Sequence, residues 1–243
     1  DGDGLSDLVV GDYFGGAISI LQNISRQNRI AFAPSFDLVN GLGTNVSLSI
    51  ALGDVNSDGK PDIVVSNWYT VVSVYRNTSV PGHISFAPRV NFPAQYFSRG
   101  IVITDLDGDG KPELAMTNFD YPVDHPVLSV YYNRSWDSSI VFDTSIDIPL
   151  YTAPFHVRAA DFDGDGLMDI AINETSAKIE VVRNSSSPGR LSFEAPVMFS
   201  SSLASERFAV ADFDGDGKPD IATPGTGQFS VLRNTGAPGN LAF

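Results

Sequence analysis

The sequence predicts an all-β protein assembled from repeats, and three observations carry the prediction. An acidic loop of one design recurs with its fifth residue at Asp3, Asp58, Asp109, Asp165 and Asp216, at intervals of 55, 51, 56 and 51 residues. A period of that length marks a repeat architecture in which each unit is one supersecondary element. Alternating, β-branched segments flank the loops, and Gly and Pro interrupt the chain so often that no segment keeps a 3.6-residue period over ten residues.

Each unit reads in the same order. An alternating strand precedes the loop, clearest as Val46, Leu48, Ile50 and Leu52 with Ser47, Ser49, Ala51 and Gly53 on the other face. A second strand follows it, as DLVVG, DIVVSN, ELAMTN, DIAIN and DIATP. The third reads AISILQN, VVSVYRN, VLSVYYN, KIEVVRN and FSVLRN, and then comes a polar turn such as TSVPG or SSSPG. A fourth strand is expected to begin at IAFAP, ISFAP, IVFDT, LSFEAP and LAF. Four short antiparallel strands in each unit are the signature of a β-propeller blade. The units divide at about residues 1-45, 46-98, 99-154, 155-205 and 206-243, within a single domain. The first lacks its inner strand and the last stops just inside its fourth, so the chain is expected to be a segment of a longer propeller or a five-bladed ring.

The loop from Asp161 to Asp169, DFDGDGLMD, sets carboxylates at positions 1, 3, 5 and 9, with Gly166 at position 6 for a sharp turn. Alternating oxygen ligands suit a hard cation of flexible, high coordination, which points to calcium. The predicted metal set is Asp161, Asp163, Asp165, Leu167 and Asp169; Asp212, Asp214, Asp216, Lys218 and Asp220; Asp105, Asp107, Asp109, Lys111 and Glu113. It continues with Asp54, Asn56, Asp58, Lys60 and Asp62, where Asn56 supplies a neutral oxygen, and with Asp1, Asp3 and Asp7 of a copy entered at position 3. The Asp54 loop is expected to bind most weakly of the four complete loops, because Asn56 and Ser57 lower its charge. An EF-hand would need Glu at position 12 and flanking helices. Position 12 here is Val65, Met116, Ile172 or Thr223, and position 9 closes the site instead.

The formal charge of −14 belongs to these loops, which hold 18 of the 29 acidic residues; outside them 11 acids face 12 bases. Without a basic stripe, nucleic acid is excluded as a partner. No apolar run approaches the roughly 18 residues of a membrane span, so membrane insertion is not expected. The chain begins inside a motif, which leaves the absence of a leader uninformative. With no cysteine there are no disulfides or thiolate nucleophiles, and calcium is left as the staple of an exported domain.

The repeated DxDxDG(K/L)xD loop between two strands, followed by VSVxRN and SFAP, resembles the FG-GAP or VCBS-type repeats of calcium-binding β-propellers, such as integrin α-subunit heads. The resemblance spans the chain. It implies a propeller whose calcium loops link the first two strands of each blade on one rim, and it is not specific for function.

Catalytic signatures are missing: no HExxH, GxSxG, Walker loop or Rossmann glycine pattern occurs, and the three histidines fall in different units. His156 shares its repeat position with Ser49, Gly100 and Arg207 on the inner strand, so Arg99, His156, Arg158, Glu206 and Arg207 are candidates for a polar rim. Trp68, Tyr69 and Trp136 are candidates for stacking on sugar rings, although exposed polar and half-buried aromatic residues need no ligand to explain them. The insertion NFDYPVDHP, residues 118–126, is a candidate binding loop. Of six sequons, those at Asn23, Asn77, Asn133 and Asn184 repeat one turn, which a turn-forming Asn explains without glycosylation. The expected function is a calcium-stabilised, non-catalytic binding or adhesion module for protein or polysaccharide, extracellular or at a cell surface. The alternatives are a lyase-type polysaccharide enzyme and a building block of a surface fibre.

Overall fold

Short β-prone runs between Gly- and Pro-marked turns leave strands as the only regular structure among the described residues. The computed structural model describes residues 1–12, 17–39, 49–66, 71–94, 98–120, 125–174 and 176–243. The first sheet holds β1 (Leu8–Gly11), β2 (Ala17–Leu21) and β3 (Phe36–Val39), and the second β4 (Ser49–Gly53), β5 (Asp62–Ser66), β6 (Val71–Tyr75) and β7 (Val90–Pro93). The third holds β8 (Gly100–Thr104), β9 (Glu113–Asp120), β10 (His125–Tyr131) and β11 (Ile146–Pro149). In the fourth are β12 (Pro154–Ala160), β13 (Asp169–Glu174), β14 (Lys178–Val182) and β15 (Val197–Ser200), and in the fifth β16 (Ala209–Ala211), β17 (Asp220–Gly225) and β18 (Gln228–Leu232). Every sheet is an antiparallel meander with its strands in chain order.

The acidic loops connect paired strand ends: Gly53 faces Asp62, Thr104 faces Glu113, Ala160 faces Asp169 and Ala211 faces Asp220. One expectation needs correction. The SFAP-like segments do not open the fourth strand; Phe32, Phe86, Phe142 and Phe193 each make an isolated bridge to the turn Asn of the same unit. The fourth strand starts a few residues later, as at Val90 after Pro88, because a proline has no N–H for a continuing ladder. By the same count Leu241 to Phe243 form the bridging segment of the last unit, where Thr235 N donates to Ala242 O.

The second strands read as continuous apolar runs because both of their faces are covered. Period-2 alternation sends Ile63 and Val65 toward the first sheet and Val64 toward the third. Likewise Leu114 and Met116 face the second sheet and Ala115 the fourth, while Ile170 and Ile172 face the third and Ala171 the fifth. Four cores result, one between each consecutive pair of sheets. Burying one such Ile contributes about 1.5–3 kcal/mol. The first strands of the units lie side by side, β8 against β4 and β12, and β12 against β16. Gly100 sits at one such approach, where a Cβ would meet Thr117 Oγ1 at 2.9 Å and Phe155 O at 3.0 Å. The outward faces of the first and last sheets remain open, exposing Leu8 and Val10 at one end and Phe213, Phe229 and Val231 at the other.

Side-chain amides tie successive units together. Nδ2 of Asn133, Asn184 and Asn234 donates to the carbonyl of Val55, Leu106 and Phe162, the second loop residue of the unit before. The same amides also donate within their own unit, to Pro112, Met168 and Pro219. Asn77, Asn133 and Asn184 are thus buried turn residues with occupied amides, which accounts for their repetition. We expect Asn184→Ala to lower the unfolding free energy by about 2–3 kcal/mol in urea denaturation with calcium present, since the buried Leu106 carbonyl and the Met168 carbonyl both lose a donor. A loss below roughly 0.5 kcal/mol would show that the amide ties contribute nothing.

Candidate metal centres

Each loop is wound by its own carboxylates. The position-1 carboxylate accepts main-chain N–H groups across the turn: Asp161 from Gly164, Asp165 and Gly166, and Asp212 from Gly215, Asp216 and Gly217. Asp54 and Asp105 do the same with Asp58 and Gly59, and with Gly108 and Gly110. The position-6 glycines adopt positive φ, as at Gly166 (92°), and so does position 4, where Ser57 (61°) replaces the glycine of the other copies. That second left-handed residue is legible only from the recurring Gly at position 4.

The position-9 carboxylate closes each site from inside the protein. Asp62, Glu113 and Asp169 are 0% exposed and Asp220 1%. Each accepts the N–H of loop position 2 and the N–H of the turn Asn, as Asp169 does from Phe162 at 3.0 Å and Asn184 at 2.8 Å. Burial pushes Asp62 up to about 6, and Glu113 and Asp169 up to about 7; the other loop carboxylates add to this, while the two backbone donors oppose it.

In three loops carboxylate oxygens from positions 1, 3 and 9 lie within 4.8 Å of one another: Asp105, Asp107 and Glu113; Asp161, Asp163 and Asp169; Asp212, Asp214 and Asp220. At such spacing two full charges repel by roughly 3–4 kcal/mol at an effective dielectric of 20. An all-oxygen set of this kind fits a hard divalent cation. In the Asp54 loop Asn56 is 0% exposed and its Oδ1 has no hydrogen-bond partner, as a neutral metal ligand requires.

Other predicted members stand differently. The position-5 carboxylates are drawn to neighbours, Asp109 Oδ2 to the Tyr132 hydroxyl, Asp165 to Arg183 and Asp216 to Arg233. At position 7 the Lys60 and Lys218 ammonium groups reach Ser79 O and Gly236 O, and Lys111 lies over the Trp136 ring. Those side chains, and that of Leu167, supply no ligand, so position 7 can contribute only its main-chain carbonyl. In the first copy Asp1 accepts from Asp3 N and Gln22, Asp3 from Leu5 N, and Asp7 from Asn23 N and the terminal amine.

Two features escaped the sequence reading. Arg183 bridges Asp163, Asp165 and Glu194, and Arg233 bridges Asp214 and Asp216. Both stand just before the turn Asn, and the recurring Arg-Asn pair was the available signal. Turn glycines also reach the previous loop: Gly189 N donates to Asp107 Oδ2 at 2.7 Å and Gly82 N to Asp1 Oδ2 at 3.1 Å.

Of the predicted rim, Arg99 stands just before β8, His156 and Arg158 lie on β12, and Glu206 and Arg207 stand just before β16. Burial, then Arg158 and Arg207, push His156 down to about 4, so it is neutral at pH 7. Trp68, Tyr69 and residues 121–124 of the insertion lie outside the described residues. Trp136 is 66% exposed.

A meander repeated around acidic loops is the arrangement of an FG-GAP-like repeat, and the profile of that family matches residues 1–65, 54–116, 123–172 and 161–223. The chain belongs to the FG-GAP-like repeat family. It is also 27% identical over 131 residues to cartilage acidic protein 1 of Homo sapiens and to that of Mus musculus. The match covers 51% of this chain and 20% of each relative, so the chain spans only a small part of their length.

The raised carboxylates fix a pH dependence. In the metal-free protein their stabilising contribution is complete below the unfolded values of 3.8 and 4.5, and is lost as pH rises through about 6 for Asp62 and about 7 for Glu113 and Asp169. A cation must displace those protons, so its stabilisation grows over the same window. Thermal unfolding from pH 4 to 8 is expected to show the gap between calcium-loaded and chelated protein widening up to about pH 7. A gap independent of pH would contradict this assignment of the buried carboxylates.

Proposed function

We propose that this chain is a stretch of calcium-stabilised β-propeller acting outside the cell as a non-catalytic binding or adhesion module for protein or carbohydrate. The observation that carries the reading is the wiring of each carboxylate cage to the turn of its own unit and, through the Asn amide and turn glycine, to the next unit. Calcium there would hold the units in a fixed relation and leave the loops of the remote rim to vary. Oxygens of positions 1, 3 and 9, joined by the position-7 carbonyl, would fill much of the shell of the ion and leave little room for substrate activation, which favours a structural metal.

The open faces of the end sheets support the propeller. Phe229, Val231 and Phe213 repeat the positions of Val72, Val74 and Val55, which are buried against the following sheet. Leu8 and Val10 repeat Ile63 and Val65, which are buried against the preceding one. The two ends are therefore complementary halves of one inter-blade packing, as a ring of blades requires. The name of the human relative, cartilage acidic protein 1, supports the extracellular setting.

Calcium-loaded protein applied to glycan and extracellular-protein arrays is expected to capture a restricted set of ligands and to release no product from acidic polysaccharides. Polysaccharide cleavage would establish the enzyme reading, and capture of nothing, together with self-assembly into fibres, would establish the spacer reading.

A further inference from the structure

Basic side chains from three units stand on or just before the first strands of those units, Arg99 at β8, His156 and Arg158 on β12, and Arg207 at β16. His156 precedes Asp161 by five residues, which in extended chain is about 17 Å. Arg99, just before β8, stacks its guanidinium on Phe155 of β12, 4.1 Å from the ring centroid. The His156 ring meets Phe208 edge to face at 5.5 Å, which brings β12 and its Arg158 beside Arg207.

Arg134, Arg183 and Arg233 lie against carboxylates, whereas Arg99, Arg158 and Arg207 make no ion pair among the described residues. Burial and then the field of Arg207 lower the pKa of Arg158, while burial lowers that of Arg99 and Glu206 opposes it. In a chain of net charge −14, Arg158 and Arg207 thus stand near one another without an ion-pair partner among the described residues. Beside them, His156 Nδ1 is buried with no hydrogen-bond partner. Like charges held together are costly unless a ligand neutralises them, and the guanidinium fork matches a planar carboxylate through two parallel N–H···O bonds.

We propose that Arg158 and Arg207, with Arg99 and His156 at their side, form a binding site for the carboxylate group of an acidic ligand. This rests on the reading of the chain as a binding module and names the chemistry its ligand would carry.

The test is calorimetric titration of the calcium-saturated protein with glutarate, with neutral glutaramide and with sulfate, all at low salt. Glutarate is expected to bind and glutaramide not. Arg158→Gln and Arg207→Gln should each weaken glutarate about tenfold or more, the scale of a hydrogen-bonded charge pair, without shifting the melting temperature in calcium. Glu206→Gln, which removes an acid whose charge opposes that of the ligand, should tighten it. Equal binding by the Arg158→Gln/Arg207→Gln double variant, or no binding by the parent protein, would overturn the site. Sulfate binding as tightly as glutarate would overturn its assignment to carboxylate. Glutarate binding retained by a protein that captures nothing on the arrays would sink the module reading alone.

Discussion

A carboxylate buried at the start of each second strand is the constraint on which the other contacts depend. Asp62, Glu113, Asp169 and Asp220 are removed from water, an arrangement that is costly unless the group is hydrogen-bonded and neutralised. Two main-chain donors meet the first need and fix the loop to the third strand. The second is met by no ion pair among the described residues in the Asp105 loop, where Asp105, Asp107 and Glu113 converge on one another. A divalent cation would satisfy all three at once, which would link the ion to the fold before any question of function arises.

From that point order spreads through short-range contacts. Position 2 of the loop is an apolar plug, Val55, Leu106 or Phe162, buried in the core shared with the next sheet. Its carbonyl receives the amide of the next unit's turn Asn, so one residue is held by packing and hydrogen bonding together. Each unit is therefore stabilised chiefly by its neighbours, as in other repeat proteins. The faces that have no neighbour, around Phe229 and Leu8, are apolar for the same reason that Val72 and Ile63 are.

The loops and the first three strands were legible because each rests on local rules: oxygen spacing, glycine at positive φ and period-2 alternation; the cover on both faces of the second strands was not, because it depends on how neighbouring sheets stack. The fourth strand was misplaced because Phe86 and its equivalents look like strand residues, yet they bridge to Asn77 and its equivalents, and Phe32, Phe86 and Phe193 lead into a proline. The clamping arginines Arg183 and Arg233 were passed over because their loop partners lie 17 to 20 residues back in sequence. Asn56 was read as a neutral ligand, and the structure adds the burial of its free oxygen. The meeting of Arg158 with Arg207 depends on how neighbouring sheets abut, and strand pattern alone carries no such information.

The central claim is that bound calcium supplies a large part of the folding free energy. Its most direct test is thermal unfolding in excess calcium and again in chelator, on one sample whose bound metal is counted. The account predicts at least three ions for each chain, one for every converged carboxylate set, and a large fall in melting temperature on chelation. Protein that retains no calcium after gel filtration, and melts at the same temperature in both conditions, would contradict it.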